Sequence, residues 1–486
     1  MKLAKKLILG VAAACALGAT AQEASRTAYF MDGYSYRHEL NPAFSGERNY
    51  ISIPALGNMN ISLFSSVGVN NFLFPTKNIP QLANSGYGLT TFMSPYITAD
   101  QFLGKLSNNN KISTNFDFTL LSTGFKAFHG YNTISIGVHA GVGLNIPKDM
   151  LKFLKVWQDG ADTHYNFKDV RANATAMAEI ALGHSHKITE DLTIGAKLKF
   201  LVGLGNVSAH ITDMDVRMNE NAWTVMANGK FEAAAGTGLV LPTRAESGIA
   251  ENASQNTLID WEGIQYNNFG IGGYGLGIDL GATYKLLDGD LELSAAVQDL
   301  GFIDWKNGIV GKTQNTEPWS FNGFHNIAIN PDEEAGNVGG NNSIDDQLDN
   351  MLDDLKQVVN FHREDVKAHY VKSLNATIRV GAEYKMPFYK NLTAGFLFSS
   401  YIAGVSSWTE GRFYANVKPT KWFDATINYG ASTYGNSFGW MINFHPKGFN
   451  FFIGTDHQIF KVTKQFIPVG HLTGSINFGF NVTFGS

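Results

Sequence analysis

Long runs of strict apolar–polar alternation constrain this chain more than any other feature in it. At the C-terminal end, SINFGFNVTF puts Ile476, Phe478, Phe480, Val482 and Phe484 on one face and Asn477, Gly479, Asn481 and Thr483 on the other. A period of two reads as a strand, because successive side chains point to opposite faces. YGLGIDLGATYKL (274–286) and LNATIRVGAEYKM (374–386) repeat the pattern, with Asp279, Arg379 and Glu383 on their polar faces. In NTISIGVHAGVGLNI (132–146) the apolar residues run from Ile134 to Ile146 on even positions. Strands of soluble proteins average about five or six residues, whereas a tilted membrane strand needs roughly 9–11. The length of these runs, and the aromatic residues Tyr274, Tyr284, Tyr384 and Phe484 near their ends, favour a membrane wall with interfacial girdles.

The connections carry the same message. Fourteen strands are expected, at 58–70, 111–124, 132–146, 172–187, 191–206, 273–286, 291–303, 373–386, 391–404, 410–418, 421–431, 437–446, 449–460 and 471–484. After even-numbered strands come KITED, LDGD, PFYKN, PTK, PKG and the segment 125–131, all short; after odd-numbered strands fall the long segments 71–110, 147–171, 207–272 and 304–372. Bacterial barrels have short periplasmic turns and long outer loops. An open edge in hydrocarbon leaves backbone groups unpaired, so the sheet must close. The expected fold is therefore all-β, a transmembrane antiparallel barrel of about 14 strands with both termini periplasmic. Lys197, Lys199, Asp279, Arg379, Glu383 and Asp424 fall on polar faces and are expected in the lumen, since a Lys or Arg facing mid-bilayer lipid costs about 2–4 kcal/mol. Two loop segments have helical spacing. PKDMLKFLKVWQDG follows Ile146, and residues 345–362 put Leu348, Met351, Leu352, Leu355 and Val359 in a stripe.

The first residues look like an export signal: basic MKLAKK, apolar LILGVAAACALG, and Ala19-Thr20-Ala21 before Gln22. The expected organisation is a signal over 1–21, a periplasmic or plug segment over 22–57, and the barrel over 58–486. The single cysteine, Cys15, lies in the signal, so a cleaved chain has no disulfide, thiolate metal site or cysteine nucleophile. Cleavage removes Lys2, Lys5 and Lys6 and no acid, taking the net charge from −5 to −8, with no basic excess for nucleic acid. Only 16% of residues are charged, against about 25% typically.

Motifs for chemistry fail on context. GNSFG (435–439) matches a nucleophile elbow, which needs a strand-to-helix turn, yet here it joins two strands. GIGGYG (270–275) precedes a strand where a dinucleotide fold requires a helix, and GIVGKT (308–313) has Lys306 where a P-loop needs its first glycine. His184 and His186 share a strand face without a third ligand nearby. No enzyme activity, metal or cofactor is expected.

LNPAF (40–44) and DLGATYKL…AAVQDLGFIDW (279–305), with the strand count, resemble the outer-membrane barrels of the long-chain fatty-acid transporter superfamily. YFMDGYSYRHELNPAFSGERNYISIPALGN (29–58) more closely resembles an uncharacterised outer-membrane barrel family. The resemblance implies that Asn41, Pro42 and Ala43 belong to a hatch that plugs the barrel. Fourteen strands enclose more space than the eight whose side chains just fill a barrel, which independently calls for a plug. The expected function is a plugged channel for hydrophobic or amphipathic small molecules in the outer membrane of a Gram-negative bacterium. The other reading is a structural or secretion-associated barrel that meets protein partners through its outer loops. Outer-membrane lipid surrounds the wall in both.

Overall fold

The computed structural model describes residues 25–158, 160–268, 270–313, 319–321, 361–403, 407–458 and 473–485. The expected signal over 1–21 lies outside the described residues, as does the expected helix 345–362 as far as residue 360.

The wall consists of β1 (Asn58–Ser65), β2 (Asn109–Ala127), β3 (Gly130–Pro147), β4 (Asp162–Lys187), β5 (Leu192–Asn219), β6 (Gly273–Leu286) and β7 (Leu291–Lys312). It continues through β8 (Ala376–Lys385), β9 (Leu392–Ile402), β10 (Trp408–Thr420), β11 (Phe423–Ser432), β12 (Gly435–Phe444), β13 (Phe449–Thr455) and β14 (Gly474–Phe484). Each strand pairs antiparallel with the next. β14 closes on β1, with Met59 opposite Phe478 and Leu63 opposite Gly474. This is the closed antiparallel barrel of fourteen strands that the alternation predicts.

Burial is inverted relative to a soluble sheet. On β5, Lys197 and Lys199 are each 1% exposed, while the neighbouring Leu198 and Phe200 are 43% and 44% exposed. On β14, Asn477, Asn481 and Thr483 are buried and Ile476, Phe480, Val482 and Phe484 are exposed. An apolar outer face and a polar inner face suit hydrocarbon outside and hydrogen-bonding groups within. Short turns gather at one end. Their exposed Phe128, Ile188, Leu287, Phe388 and Trp422 form an apolar rim there.

The long-loop end carries more structure than expected. β4 and β5 run on to Asp162 and Asn219, and Trp223–Ala234, inside the segment read as loop, pairs with the far end of β5. That strand also meets Ile309–Lys312 of β7. The reason is a slip in the pattern. A bulge between Ile211 and Asp213 moves the apolar positions from odd (Ala209, Ile211) to even (Met214, Val216, Met218), so the alternation appears to stop. The helix predicted after Ile146 is present as α1 (Lys148–Val156), and it shares a core with a five-residue helix, Ala99–Leu103, through Phe102, Leu103 and Leu151.

The wall also starts earlier than residue 58. Asn49–Ser52 already pairs with β14 and β2 toward the short-turn end. Residues 53–57 form an outward bulge before β1, sealed by Ala55 N donating to Leu120 O and Phe480 N donating to Leu56 O. The described chain starts at Ser25, beside Asp456 just past β13, in the half of the barrel nearer the long loops. It runs toward the short-turn end and meets Asp424 and His445 at Gly33. The C-terminal strand instead ends at the short-turn rim. The first and last described residues therefore do not lie together, because the segment from Ser25 runs inside the wall before joining it.

Candidate functional site

Residues 25–48 form no long element. Two short 3-10 turns, Arg26–Ala28 and Arg37–Glu39, are tied together by Arg37, whose Nε donates to Tyr29 O over 3.1 Å. Arg37 also pairs with Asp32 and places its guanidinium 4.0 Å from the Phe44 ring centroid. The aromatic residues of this segment have a partner surface. Tyr29, Phe30, Tyr34, Tyr36, Phe44 and Tyr50 form one buried cluster with Leu397, Tyr414, Met441 and Phe452 of the wall. Edge-to-face pairs such as Phe30–Tyr414 at 5.0 Å and Tyr34–Phe452 at 4.8 Å each add about 0.5–1.5 kcal/mol beyond area burial.

Asn41, Pro42 and Ala43 sit against the wall. The turn closes by Phe44 N donating to Asn41 O, with Pro42 at the position whose φ proline pre-sets. Asn41 Oδ1 accepts from Ala43 N (2.9 Å), and its Nδ2 donates to the carbonyls of Ala295 (3.2 Å) and Ala282 (3.4 Å). The turn fits because Gly195 and Gly281, directly opposite each other on β5 and β6, leave a slot. A Cβ at Gly195 would lie 2.1 Å from Pro42 O, and one at Gly281 would lie 2.0 Å from Asn41 Oδ1. Nothing in the tripeptide itself marks these two glycines; alternation puts them on the inner face, but many glycines share it.

The six charged residues singled out from the pattern occupy several environments. Lys199 Nζ reaches Asp299 at 2.6 Å, Asp279 at 3.0 Å and Glu179 at 3.6 Å. His139 joins the same network through Asp117 at 2.9 Å and Glu179 at 4.0 Å. Arg379 Nη1 donates to Leu40 O over 3.5 Å, and Asp424 accepts from Gly33 N over 3.2 Å. Glu383 is half-buried and accepts from Thr393 Oγ1 and Asn416 Nδ2. Lys197 is buried where its charge acts on Glu39 and His38. Asp299 was missed by alternation. It adopts φ 58° in a bulge that turns both Gln298 and Asp299 inward, and its N–H donates to Asp279 Oδ1 over 2.8 Å.

Two cavities are lined by wall residues, and the first of them also by the N-terminal segment. One, of about 220 Å3, is polar and is lined by Asp32, Arg37, Lys285, Glu292 and Glu383. The other, of about 130 Å3, is lined by Met177, Ile303, Trp305 and Leu374 together with Asn206 and Lys372. His184 and His186 lie with ring centroids 5.7 Å apart, and no cluster suited to a metal occurs among the described residues. Ser437 of GNSFG lies on β12 and accepts from Arg412 Nη2.

Glu39 gives a pH test. Burial pushes its carboxyl up to about 7, with Lys197 opposing the rise, and its Oε2 accepts from Asn58 Nδ2 over 2.8 Å. Its ordinary value is 4.5, so between about 4.5 and 7 the folded chain holds a proton that the unfolded chain has released. Stability contributed by this group is then lost as pH rises through that window. Thermal unfolding of Glu39→Gln is expected to show a flatter pH dependence than the parent between pH 5 and 8; equal slopes would exclude Glu39 as the source.

Geometry defines the class: a closed fourteen-stranded antiparallel barrel, apolar outside, with its own N-terminal segment buried against its inward faces. The chain belongs to a family of unknown function, DUF5723, whose sequence profile matches residues 42–456. Among curated proteins, none matches the chain. Solved structures similar to it include the Ralstonia pickettii toluene transporter TbuX, at 10% identity and TM-score 0.41, over 93% of this chain and 95% of that one. The Pseudomonas putida toluene transporter TodX is 9% identical with TM-score 0.38, over 97% of this chain and 96% of that one. A Pseudomonas aeruginosa FadL homologue is 10% identical with TM-score 0.36, over 96% of this chain and 99% of that one.

Proposed function

We propose that this protein is a plugged channel in the outer membrane of a Gram-negative bacterium, passing hydrophobic or amphipathic small molecules. The observation that carries this reading is the mode of attachment of residues 25–48. Most of them are buried inside the wall, yet they are held by hydrogen bonds, ion pairs and aromatic contacts that can be exchanged singly. A permanent filling has no need of a slot that grips Asn41–Ala43 on backbone carbonyls. The cavity beside Trp305 supports an amphipathic ligand, since Met177, Ile303 and Leu374 offer apolar contact and Lys372 offers a charge at its margin. In this reading the long loops face outward and the short turns face the periplasm. The C-terminal strand ends at the periplasmic rim, and the N-terminal segment descends inside the lumen from Ser25 to join the wall near that rim at Asn49. Residues 22–57 include the plug, with Asn41, Pro42 and Ala43 as its latch.

Deleting residues 25–48 from the full chain is expected to convert a closed barrel into one with a steady conductance in planar bilayers. Protein purified in mild detergent is expected to carry a lipid-like or other apolar compound detectable by mass spectrometry. A parent and deletion with the same conductance, and no apolar compound bound, would remove this reading.

A further inference from the structure

The first described residues of the N-terminal segment lie in a socket unlike the rest of its contacts. The Arg26 guanidinium lies 4.4 Å from the Trp408 ring centroid and 5.4 Å from that of Phe64. Its Nε is 3.2 Å from Glu410 Oε1, and its Nη2 donates to His457 Nε2 over 2.8 Å. Beside it, the Asp456 carboxylate accepts from Ser25 Oγ (3.0 Å), Arg26 N (3.1 Å) and Thr27 N (2.7 Å). Arg412 holds Glu410 by two bonds of 2.9 and 2.8 Å and so fixes the carboxylate's direction. Arg26, Glu410, Trp408, Phe64 and His457 are all buried.

Charge makes the socket selective. The wall supplies Glu410, Asp456 and Arg412, two acids against one base, and Arg26 supplies the missing positive charge. A buried carboxylate left without its partner is strongly unfavourable. An aromatic face beside a carboxylate suits a planar, weakly hydrated guanidinium better than a compact, strongly hydrated ammonium. Phe64 and Trp408 stand at the long-loop ends of β1 and β10, so the socket lies toward the outer side in the orientation proposed above.

We infer that this cage is a guanidinium-binding site of the barrel wall, occupied at rest by Arg26 as an internal ligand, and that an alkylguanidinium arriving from the long-loop side competes for it and frees the part of the plug that carries Arg26. The competition step rests on the plugged-channel reading; the cage itself does not.

The full-length Arg26→Ala protein tests this with ethylguanidinium as the probe and ethylammonium at equal concentration as the control. Ethylguanidinium is expected to raise the unfolding temperature of Arg26→Ala saturably, to raise that of the parent far less because it must displace the tethered Arg26, and to leave Arg26→Ala/Glu410→Gln unchanged because the acceptor is gone. An equal response to both cations, or an undiminished response in the double variant, overturns the site. Should Arg26→Ala fail to fold, the parent in a planar bilayer serves instead. Ethylguanidinium added on the long-loop side is expected to raise the frequency of openings where ethylammonium does not, and no rise overturns the inference. Saturable binding to Arg26→Ala with no passage of any hydrophobic compound would leave the cage standing and remove the channel reading.

Discussion

Lys199→Met is expected to lower the stability of the closed barrel by about 3–5 kcal/mol, the cost of removing one partner from a buried ion pair. The size follows from what the ammonium holds together. Asp299, Asp279 and Glu179 all lie within 3.6 Å of Lys199 Nζ, and all four side chains are buried. Without the lysine, three carboxylates face one another in a site closed to water. The temperature at which unheated protein shifts to unfolded mobility on a denaturing gel should fall clearly below that of the parent. Adding Asp279→Asn and Asp299→Asn to Lys199→Met should recover part of the loss, because two of the uncompensated charges disappear. A single variant as stable as the parent would mean that charge does not hold this layer of the lumen.

Alanine at both Gly195 and Gly281 is expected to loosen the N-terminal segment while leaving the wall closed. Each new Cβ would approach backbone or side-chain atoms of Asn41 and Pro42 to about 2 Å, a distance no real contact tolerates. β5 and β6 are tied by their ladders on both sides, so the turn at 41–43 gives way first. Overpacking costs about 1–3 kcal/mol, which corresponds to an increase of about 5- to 150-fold in the population with the turn undocked. A cysteine placed at Ala43 should then react with a water-soluble thiol reagent faster by a factor in that range. Conductance should rise in parallel. Unchanged labelling would show that the slot does not hold the segment.

Much of this arrangement is legible in the linear chain. Alternation puts Lys197, Lys199, Asp279, Arg379 and Asp424 on the face that the structure buries. It also puts Glu410, Arg412 and Tyr414 together on one face of β10, although nothing local says that Arg26 meets them. Bulges defeat the reading where they occur. Asp299 is turned inward by its positive φ, and the shift at Ile211/Asp213 hid the extension of β5 and the strand that pairs with it. Asn-Pro-Ala is visible as a tripeptide, whereas its two facing glycines are known only from the register of β5 with β6.

The identity of the fourteen wall strands, their closure and the sorting of short turns from long loops were set by the sequence alone. They follow from local causes: side chains alternate on a pleated backbone, apolar faces seek hydrocarbon, and unpaired edges cannot persist there. The course of residues 25–48, the slot at Gly195 and Gly281, and the cage around Arg26 were decided by tertiary structure. Each depends on the depth and angular position at which residues distant in sequence face one another. Alternation specifies whether a side chain points inward, and only the closed, staggered barrel determines what it meets there.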